Sequence, residues 1–452
     1  MIRSGVEGVV WPPMLRDRAA ELSALADQLQ ANETLSPDAI AVRQSLQLRA
    51  LVHHHAAHSP AFLARLDAAG VATDELCDLD ALRRIPVLTR AQVQQQGDSL
   101  FARVVPASHL PLFTRQTSGS TGQPVVVRRT RVCGDLLMAM NLRDHRWFGR
   151  DFAGRMALIR PSFDKRIDSP DWGMPVNTLY RSGPAMALPI TTDISEQAEA
   201  IARFAPHVLA VYPSNLDALL EVWENSGVPP GLKHVKTIGE TVSDGLRARL
   251  KAVCGLTLED GYSSEECGSI ALQCPDCRQY HVMAEGLHVE VLRGDGSPAA
   301  AGEVGRVTVT DLLNFAMPLI RYDIGDYAVA GSPSGCGIGL PTLQRIVGRE
   351  RNLVRFPDGR RHWPLVGFQR FAEAAPIRQY QVLQTALDRL ELRVASDSHI
   401  DGTASNRLVE ILREALGHPF AVDVNQFRDR LPVGPGGKFE EFVCRFDVGD
   451  VS

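Results

Sequence analysis

The chain contains no run of about 18 apolar residues, the length that a membrane-crossing helix requires, and no internal repeat or low-complexity tract. Its first residues, Met1-Ile2-Arg3-Ser4-Gly5-Val6-Glu7, lack the apolar core of a secretory leader, so a cytoplasmic protein is expected. Basic excess is also missing. The net charge is -5 and charged residues make up 22% of the chain, which excludes a nucleic-acid footprint and a polybasic membrane patch. Eight cysteines in 452 residues are too few for a disulfide scaffold, and reduced thiols are expected. What remains is a chain long enough for two or more domains and a large core.

The first positive signal is Thr117-Ser118-Gly119-Ser120-Thr121-Gly122-Gln123-Pro124, set between the extended Leu110-Pro111-Leu112-Phe113 and the apolar Val125-Val126-Val127. Glycines let backbone approach a ligand closely, and hydroxyls and N–H groups donate to phosphate oxygens. The Walker spacing G-x-x-x-x-G-K-[ST] is absent. Composition alone leaves an anion-binding loop and a plain surface turn both open.

Texture changes along the chain. Residues 14–32 and 36–70 carry apolar residues at helical spacing, with Ser36-Pro37 reading as an N-cap and first helical position. From Thr114 to about Arg321, short apolar runs alternate with helical stretches. Met156–Ile159, Val208–Val211 and Val235–Ile238 are the strand-like runs, and Asn215–Asn225 is helical. That alternation predicts an α/β fold with helices on both faces of a sheet. Residues Gly286–Ala330 are β-rich, with period-two alternation in Leu287–Leu292 and Gly305–Thr310 and a turn at Gly294–Ser297. After Arg349 a smaller α+β unit is expected, with strands Leu390–Val394 and Phe420–Val424 and a helix Asn406–Leu416.

Four further segments follow the hydroxyl-rich loop in order: Gly261-Tyr262-Ser263-Ser264-Glu265, Ile320-Arg321-Tyr322-Asp323-Ile324-Gly325-Asp326, Ile346-Val347-Gly348-Arg349 and Pro435-Gly436-Gly437-Lys438. Together with Thr117–Pro124 they resemble the ordered motifs of the adenylate-forming superfamily, the acyl-CoA synthetases and luciferases. Leu51–Phe62, Ile85–Arg90 and Val211-Tyr212-Pro213-Ser214-Asn215-Leu216 are similar to the phenylacetate-CoA ligase group and its capsule-biosynthesis-like relatives. The resemblance covers about residues 45 to 445.

It implies a large N-terminal adenylation domain, residues 1–348, built of packed α/β sheets with a β-rich subdomain, and a small mobile α+β domain, residues 349–452. It also implies roles. Thr117, Ser118, Gly119, Ser120, Thr121 and Gly122 would hold the ATP phosphates, and Glu265 would ligate Mg²⁺. Gly239, Glu240, Gly261, Tyr262, Ser263 and Ser264 would surround the nucleotide, with Tyr262 flanking adenine. Asp326 would accept from the ribose hydroxyls, supported by Arg349, and Lys438 would bridge the acid and the nucleotide during adenylation. Tyr212, Pro213, Ser214, Tyr180 and Trp172 are the candidates for the acid pocket, although the two last could equally be core aromatics.

A second constellation is C-x₂-C-x₃-H at Cys274, Cys277 and His281, a chelating knuckle suited to tetrahedral zinc. Some members of the resembled branch carry a comparable structural site ahead of a Gly-x-x-Leu-Pro, which points to Cys336 as fourth ligand. Cys267 is the alternative. His53-His54-His55 and His58 have no accompanying carboxylate and read as a helix surface.

The expectation is an AMP-forming enzyme that activates a carboxylic acid, by resemblance an aromatic one, with ATP, Mg²⁺ and a structural Zn²⁺, and passes the acyl group to coenzyme A. A carrier-protein thiol or an amine is the alternative acceptor, and a homodimer is compatible with the resemblance. Gln123, where the loop usually carries lysine, and Arg351, where the hinge usually carries an acid, motivate a third reading as a degenerate nucleotide binder. Retention of Asp326, Arg349 and Lys438 argues against it.

Overall fold

The computed structural model describes residues 2, 14–116, 125–349, 353–362, 368–428, 431–432 and 439–445. The chain divides into two compact units, Met1–Gly239 with Leu250–Val347, and Glu240–Arg249 with Gly348–Ser452. Among the described residues no helix is long and apolar enough to cross a membrane.

In the larger unit the N-terminal helices are Asp17–Asn32, Pro37–His58 and Pro60–Ala69. The second begins where Ser36 Oγ accepts from the Ala39 N–H at 3.2 Å, with Pro37 in the first turn, a cap of about 1 kcal/mol. It ends at Ser59, because Pro60 cannot donate to the preceding turn and starts the next helix. His55 departs from the surface expectation. It is fully buried beside Phe62 and Phe315, with its Nε2 2.9 Å from the Asn314 carbonyl.

Strands β1 (Leu112–Gln116) and β2 (Val126–Thr130) form an antiparallel hairpin. Then β3 (Met156–Arg160), β4 (Ile167–Ser169), β5 (Ala185–Pro189), β6 (Val208–Val211), β7 (His234–Thr237) and β8 (Leu258–Glu259) make a six-stranded sheet ordered β4-β5-β3-β6-β7-β8. All its pairings are parallel except β4 with β5. The continuous burial of Val208–Val211 is what a strand covered on both faces demands. From β3 the chain passes to β5 on one side and then to β6 on the other, so the sheet changes winding direction at β3.

A seven-stranded sheet follows, from β9 (Gly261–Ser264), β10 (Gly268–Gln273), β11 (Tyr280–Val282), β12 (Leu287–Leu292), β13 (Val304–Asp311), β14 (Tyr322–Ala330) and β15 (Thr342–Arg349), ordered β12-β13-β14-β15-β11-β10-β9. Its core includes Tyr262, Ile270, Val307, Val309, Leu319 and Tyr322.

The smaller unit holds a short hairpin, β16 (Val354–Arg355) with β17 (Arg361–His362), and a four-stranded sheet of β18 (Gln379–Ala386), β19 (Arg389–Ala395), β20 (Ala421–Phe427) and β21 (Phe442–Cys444), ordered β20-β19-β18-β21. Helices Phe368–Ala374 and Gly402–Leu416 pack on it through Phe371, Leu408, Ile411 and Leu412. Asp401 caps the second helix by accepting from Ala404 N–H at 2.8 Å.

Candidate active site and metal-binding cluster

Ligands of wound α/β sheets bind outside the carboxyl ends of the strands, where the winding reverses. Here three adjacent parallel strands, β3, β6 and β7, present Arg160, Tyr212 and, past Ile238, Gly239 at that end. Gly239 has φ +80°, and a Cβ there would stand 2.6 Å from Tyr212 Cε1. The absent side chain is what lets the Tyr212 ring lie on this turn. Tyr212 is the N-cap of helix Pro213–Ser226, with Pro213 in its first turn, so Tyr212, Pro213, Ser214 and Gly239 come together.

Across from them, Gly261–Ser264 form β9, at the end of the seven-stranded sheet. The Tyr262 hydroxyl donates to Asp326 Oδ2 at 2.8 Å, joining two of the motifs. Ser264 Oγ accepts from the Cys267 N–H at 3.0 Å, closing the turn that carries Glu265 and Glu266. These two acids differ sharply. Glu265 is exposed, available as an oxygen ligand. Glu266 is buried, 3.1 Å from Arg90 Nη1 and 3.4 Å from the Tyr322 hydroxyl. Burial and the Glu266 charge push the Tyr322 hydroxyl well above its ordinary range.

Several supporting groups were not legible in the sequence. Asp260, one residue before the Gly261 strand, accepts from Thr237 Oγ1 at 2.9 Å and from the Tyr280 hydroxyl at 2.6 Å. Behind it lies a buried ion network. Arg150 holds Asp144 at 2.6 Å and Glu259 at 3.0 Å, and Lys236 Nζ lies 2.5 Å from Asp144. Burial alone would raise the Asp144 carboxyl, but the Lys236 and Arg150 charges overcome it and hold it well below the usual range. Arg129 and Asp311 form a further buried pair at 3.6 Å. Arg160 was also missed. The available signal was a cationic residue closing an apolar strand ahead of Pro161-Ser162.

Cys274, Cys277, His281 and Cys336 converge, with one ligand atom from each lying within 4.8 Å of all the others. The knuckle is shaped by the turn Cys274–Arg278, where Cys274 N–H donates to the Gln279 carbonyl at 2.8 Å and Arg278 takes φ +64°. His281 Nδ1 lies 3.1 Å from the Leu340 carbonyl. That contact turns Nε2 toward Cys277 Sγ at 3.7 Å and Cys336 Sγ at 3.4 Å, the orientation that a metal-ligating imidazole takes from its outer partner. Cys267, the alternative ligand, is buried apart from this group, in the core with Tyr262 and Ile270.

The remaining site residues divide. Thr117–Gly122 and Lys438 lie outside the described residues. Arg349 is the exposed last residue of β15. Glu240 belongs to the smaller unit, where its Oε1 accepts from the Phe439 N–H at 2.9 Å. Trp172 and Tyr180 do not join Tyr212. Trp172 Nε1 donates to the Gly154 carbonyl at 2.9 Å, ahead of the first residue of β3, and Tyr180 packs on Phe152 with ring centroids 4.7 Å apart. Both sit at the amino end of the sheet, one strand length from the site, and their apolar rings serve the core.

No family model matches the chain. It is 26% identical over 382 residues to a phenylacetate-coenzyme A ligase of Thermus thermophilus, covering 80% of this chain and 82% of that protein. It is 27% identical over 337 residues to the phenylacetate-coenzyme A ligase of Escherichia coli, covering 72% and 75%. Among solved structures, a 2-hydroxyisobutyryl-CoA ligase in the post-adenylation state superposes with a TM-score of 0.74 at 17% identity over 92% of each chain, a likeness of fold. These likenesses support a place for the chain in the adenylate-forming superfamily of ligases, beside the phenylacetate-CoA ligases.

Proposed function

We propose that the protein activates a carboxylic acid with ATP, forming an acyl adenylate and pyrophosphate, and transfers the acyl group to the thiol of coenzyme A. The observation that supports this reading is the Tyr262–Asp326 hydrogen bond, which joins, across 64 residues, the two segments that resemble nucleotide-binding motifs. Attack of a carboxylate on the α-phosphorus is limited by charge and geometry, so the site must position two anions and neutralise developing charge.

In this reading Asp326 accepts from the ribose hydroxyls while Tyr262 orients its carboxylate and flanks the adenine with Gly261, Ser263 and Ser264. Gly239 and Tyr212 form one wall of the acid pocket, with Pro213 and Ser214 behind. Thr117–Gly122 hold the phosphates, and Lys438 bridges the acid and the nucleotide. Residues 1–348 supply the acid and nucleotide site, and residues 349–452 carry Lys438. Glu265, an exposed carboxylate on this turn, fits a hard cation and would hold Mg²⁺, which supplies charge neutralisation on the phosphates. The three thiols and one imidazole of the Cys274 cluster suit zinc in a closed, structural site. The acid is aromatic on the branch resemblance.

The test is acid-dependent ATP–pyrophosphate exchange without coenzyme A, over aryl, arylacetic, amino-aryl and aliphatic acids, followed by AMP release on adding coenzyme A. Exchange with one class of acid is expected, with Lys438→Ala abolishing exchange but not ATP binding. No exchange with any acid, in protein that binds ATP, would sink the reading.

A further inference from the structure

Arg160 is a half-buried cation at the carboxyl end of β3. Its Nε is buried and has no hydrogen-bond partner, and among the described residues the side chain makes no hydrogen bond and no ion pair. Other arginines packed into this unit keep a carboxylate even where one nitrogen is unpartnered, as Arg129 and Arg143 do with Asp311 and Glu285. Arg150 is held by Asp144 and Glu259, Arg143 by Glu285, and Arg321 by Glu290. Withdrawing a guanidinium from water without a partner is strongly unfavourable unless an anion arrives to repay it.

Its position says which anion. Arg160 ends β3, the strand at which the sheet reverses its winding, and the crevice there is where such sheets bind ligands. Burial lowers the proton affinity of Arg160, while Tyr212, the wall of the proposed acid pocket, and Glu265 raise it. Glu265 is exposed, and no carboxylate among the described residues forms an ion pair with the guanidinium. A guanidinium matches a carboxylate through two parallel hydrogen bonds.

We propose that Arg160 selects the substrate, and that the acid activated here carries a second carboxylate, which pairs with Arg160 while the first is adenylated. This rests on the reading of the site as an acid-activating one and deepens it by naming the substrate class. The occupied pair gives a half-buried cation the partner it lacks among the described residues. A monocarboxylate of the same shape would leave it unpaired, and sites built to hydrogen-bond a substrate group reject analogues lacking that group strongly.

The test uses the full-length protein and ATP–pyrophosphate exchange with matched pairs: benzene dicarboxylates, phenylene diacetates and aliphatic diacids, each against its own monoamide. The expected result is a kcat/KM preference of about 100-fold or more for one diacid over its monoamide. In Arg160→Met that ratio should collapse, with the diacid value falling and the monoamide value rising, and Arg160→Lys should fall between. Thermal-shift titration of each acid without ATP gives a binding readout independent of turnover and of either variant's activity. Equal use of diacid and monoamide by the wild type overturns the proposal while leaving acid activation intact. So does an equal loss with every acid in Arg160→Met, which would assign Arg160 to the reacting carboxylate or the nucleotide. Absence of exchange with all acids would instead defeat the acid-activation reading, and a diacid-specific, Arg160-dependent thermal shift in that case would still support recognition of a dianion.

Discussion

The Tyr262 hydroxyl reaches Asp326 across 2.8 Å although their strands are the first and fifth counted from one edge of a seven-stranded sheet. Flat, that sheet would separate them by roughly four strand spacings, about 19 Å. The bond therefore requires the sheet to curl strongly, so that β9 and β14 face each other over a shared core. Tyr262→Phe deletes the donor and leaves the ring. A hydrogen bond to a charged group is worth about 1.5–3 kcal/mol, so KM for ATP in the exchange assay should rise at least about 10-fold with smaller change in kcat. An unchanged KM would show that Asp326 needs no help from Tyr262.

The cysteine–histidine cluster predicts one equivalent of zinc in protein purified without added metal, measured by elemental analysis. Cys336→Ser should lose most of it and lower Tm by at least about 5 °C, since binding energy at a structural site is folding energy. Cys267→Ser should leave the metal content unchanged. The opposite pattern would transfer the fourth ligand to Cys267.

Gly268 and Arg129 give a steric test. Gly268 has φ +78°, and a Cβ there would stand 2.6 Å from Arg129 Nη1. Gly268→Ala should destabilise by about 2–3 kcal/mol, combining left-handed strain of about 1–2 kcal/mol with the displaced guanidinium. Adding Arg129→Ala removes the clash, so the double variant should be more stable than the sum of the singles implies. Simple additivity in denaturant unfolding would show that Arg129 does not fill this space.

Two histidines, His55 buried and His145 half-buried, set an acid limit. Burial lowers His55 and His145 to about 3 against an ordinary 6.5; the neighbouring Arg150 charge lowers His145 further, and the Asn314 carbonyl partly opposes the shift at His55. Between these values the unfolded chain binds protons that the folded chain refuses, so stability rises with pH in that window and is lost as pH falls below about 6.5. Each group contributes a slope of up to about 1.4 kcal/mol per pH unit. Denaturant unfolding at steps from pH 7.5 to pH 5 should show the decline, reduced in His145→Gln. A flat profile would place both imidazoles in water.

Most of the elements were legible before folding, because periodicity and capping act within a few residues. Val208–Val211 and Leu287–Leu292 are strands over the spans their patterns indicate, and Ser36-Pro37 starts a helix. The ordered motifs marked the residues proposed for the nucleotide site, and the knuckle spacing marked three of the four side chains that converge in the Cys274 cluster. Trp172 and Tyr180 misled because an aromatic residue looks the same to the sequence at either end of a strand. Only the parallel register, Met156 opposite Val208, assigns them to the amino end.

Distance along the chain and distance in the folded molecule are set by different forces. Local hydrogen bonding and apolar spacing determined which segments are strand or helix. Sheet order and curl decided which segments meet: Tyr262 with Asp326, Cys336 with His281 across 55 residues, Arg129 with Asp311. That Arg160 has no ion-pair partner among the described residues also belongs to the folded state. A cation is unpaired only by reference to everything packed around it, and that surrounding is assembled from strands distant in sequence.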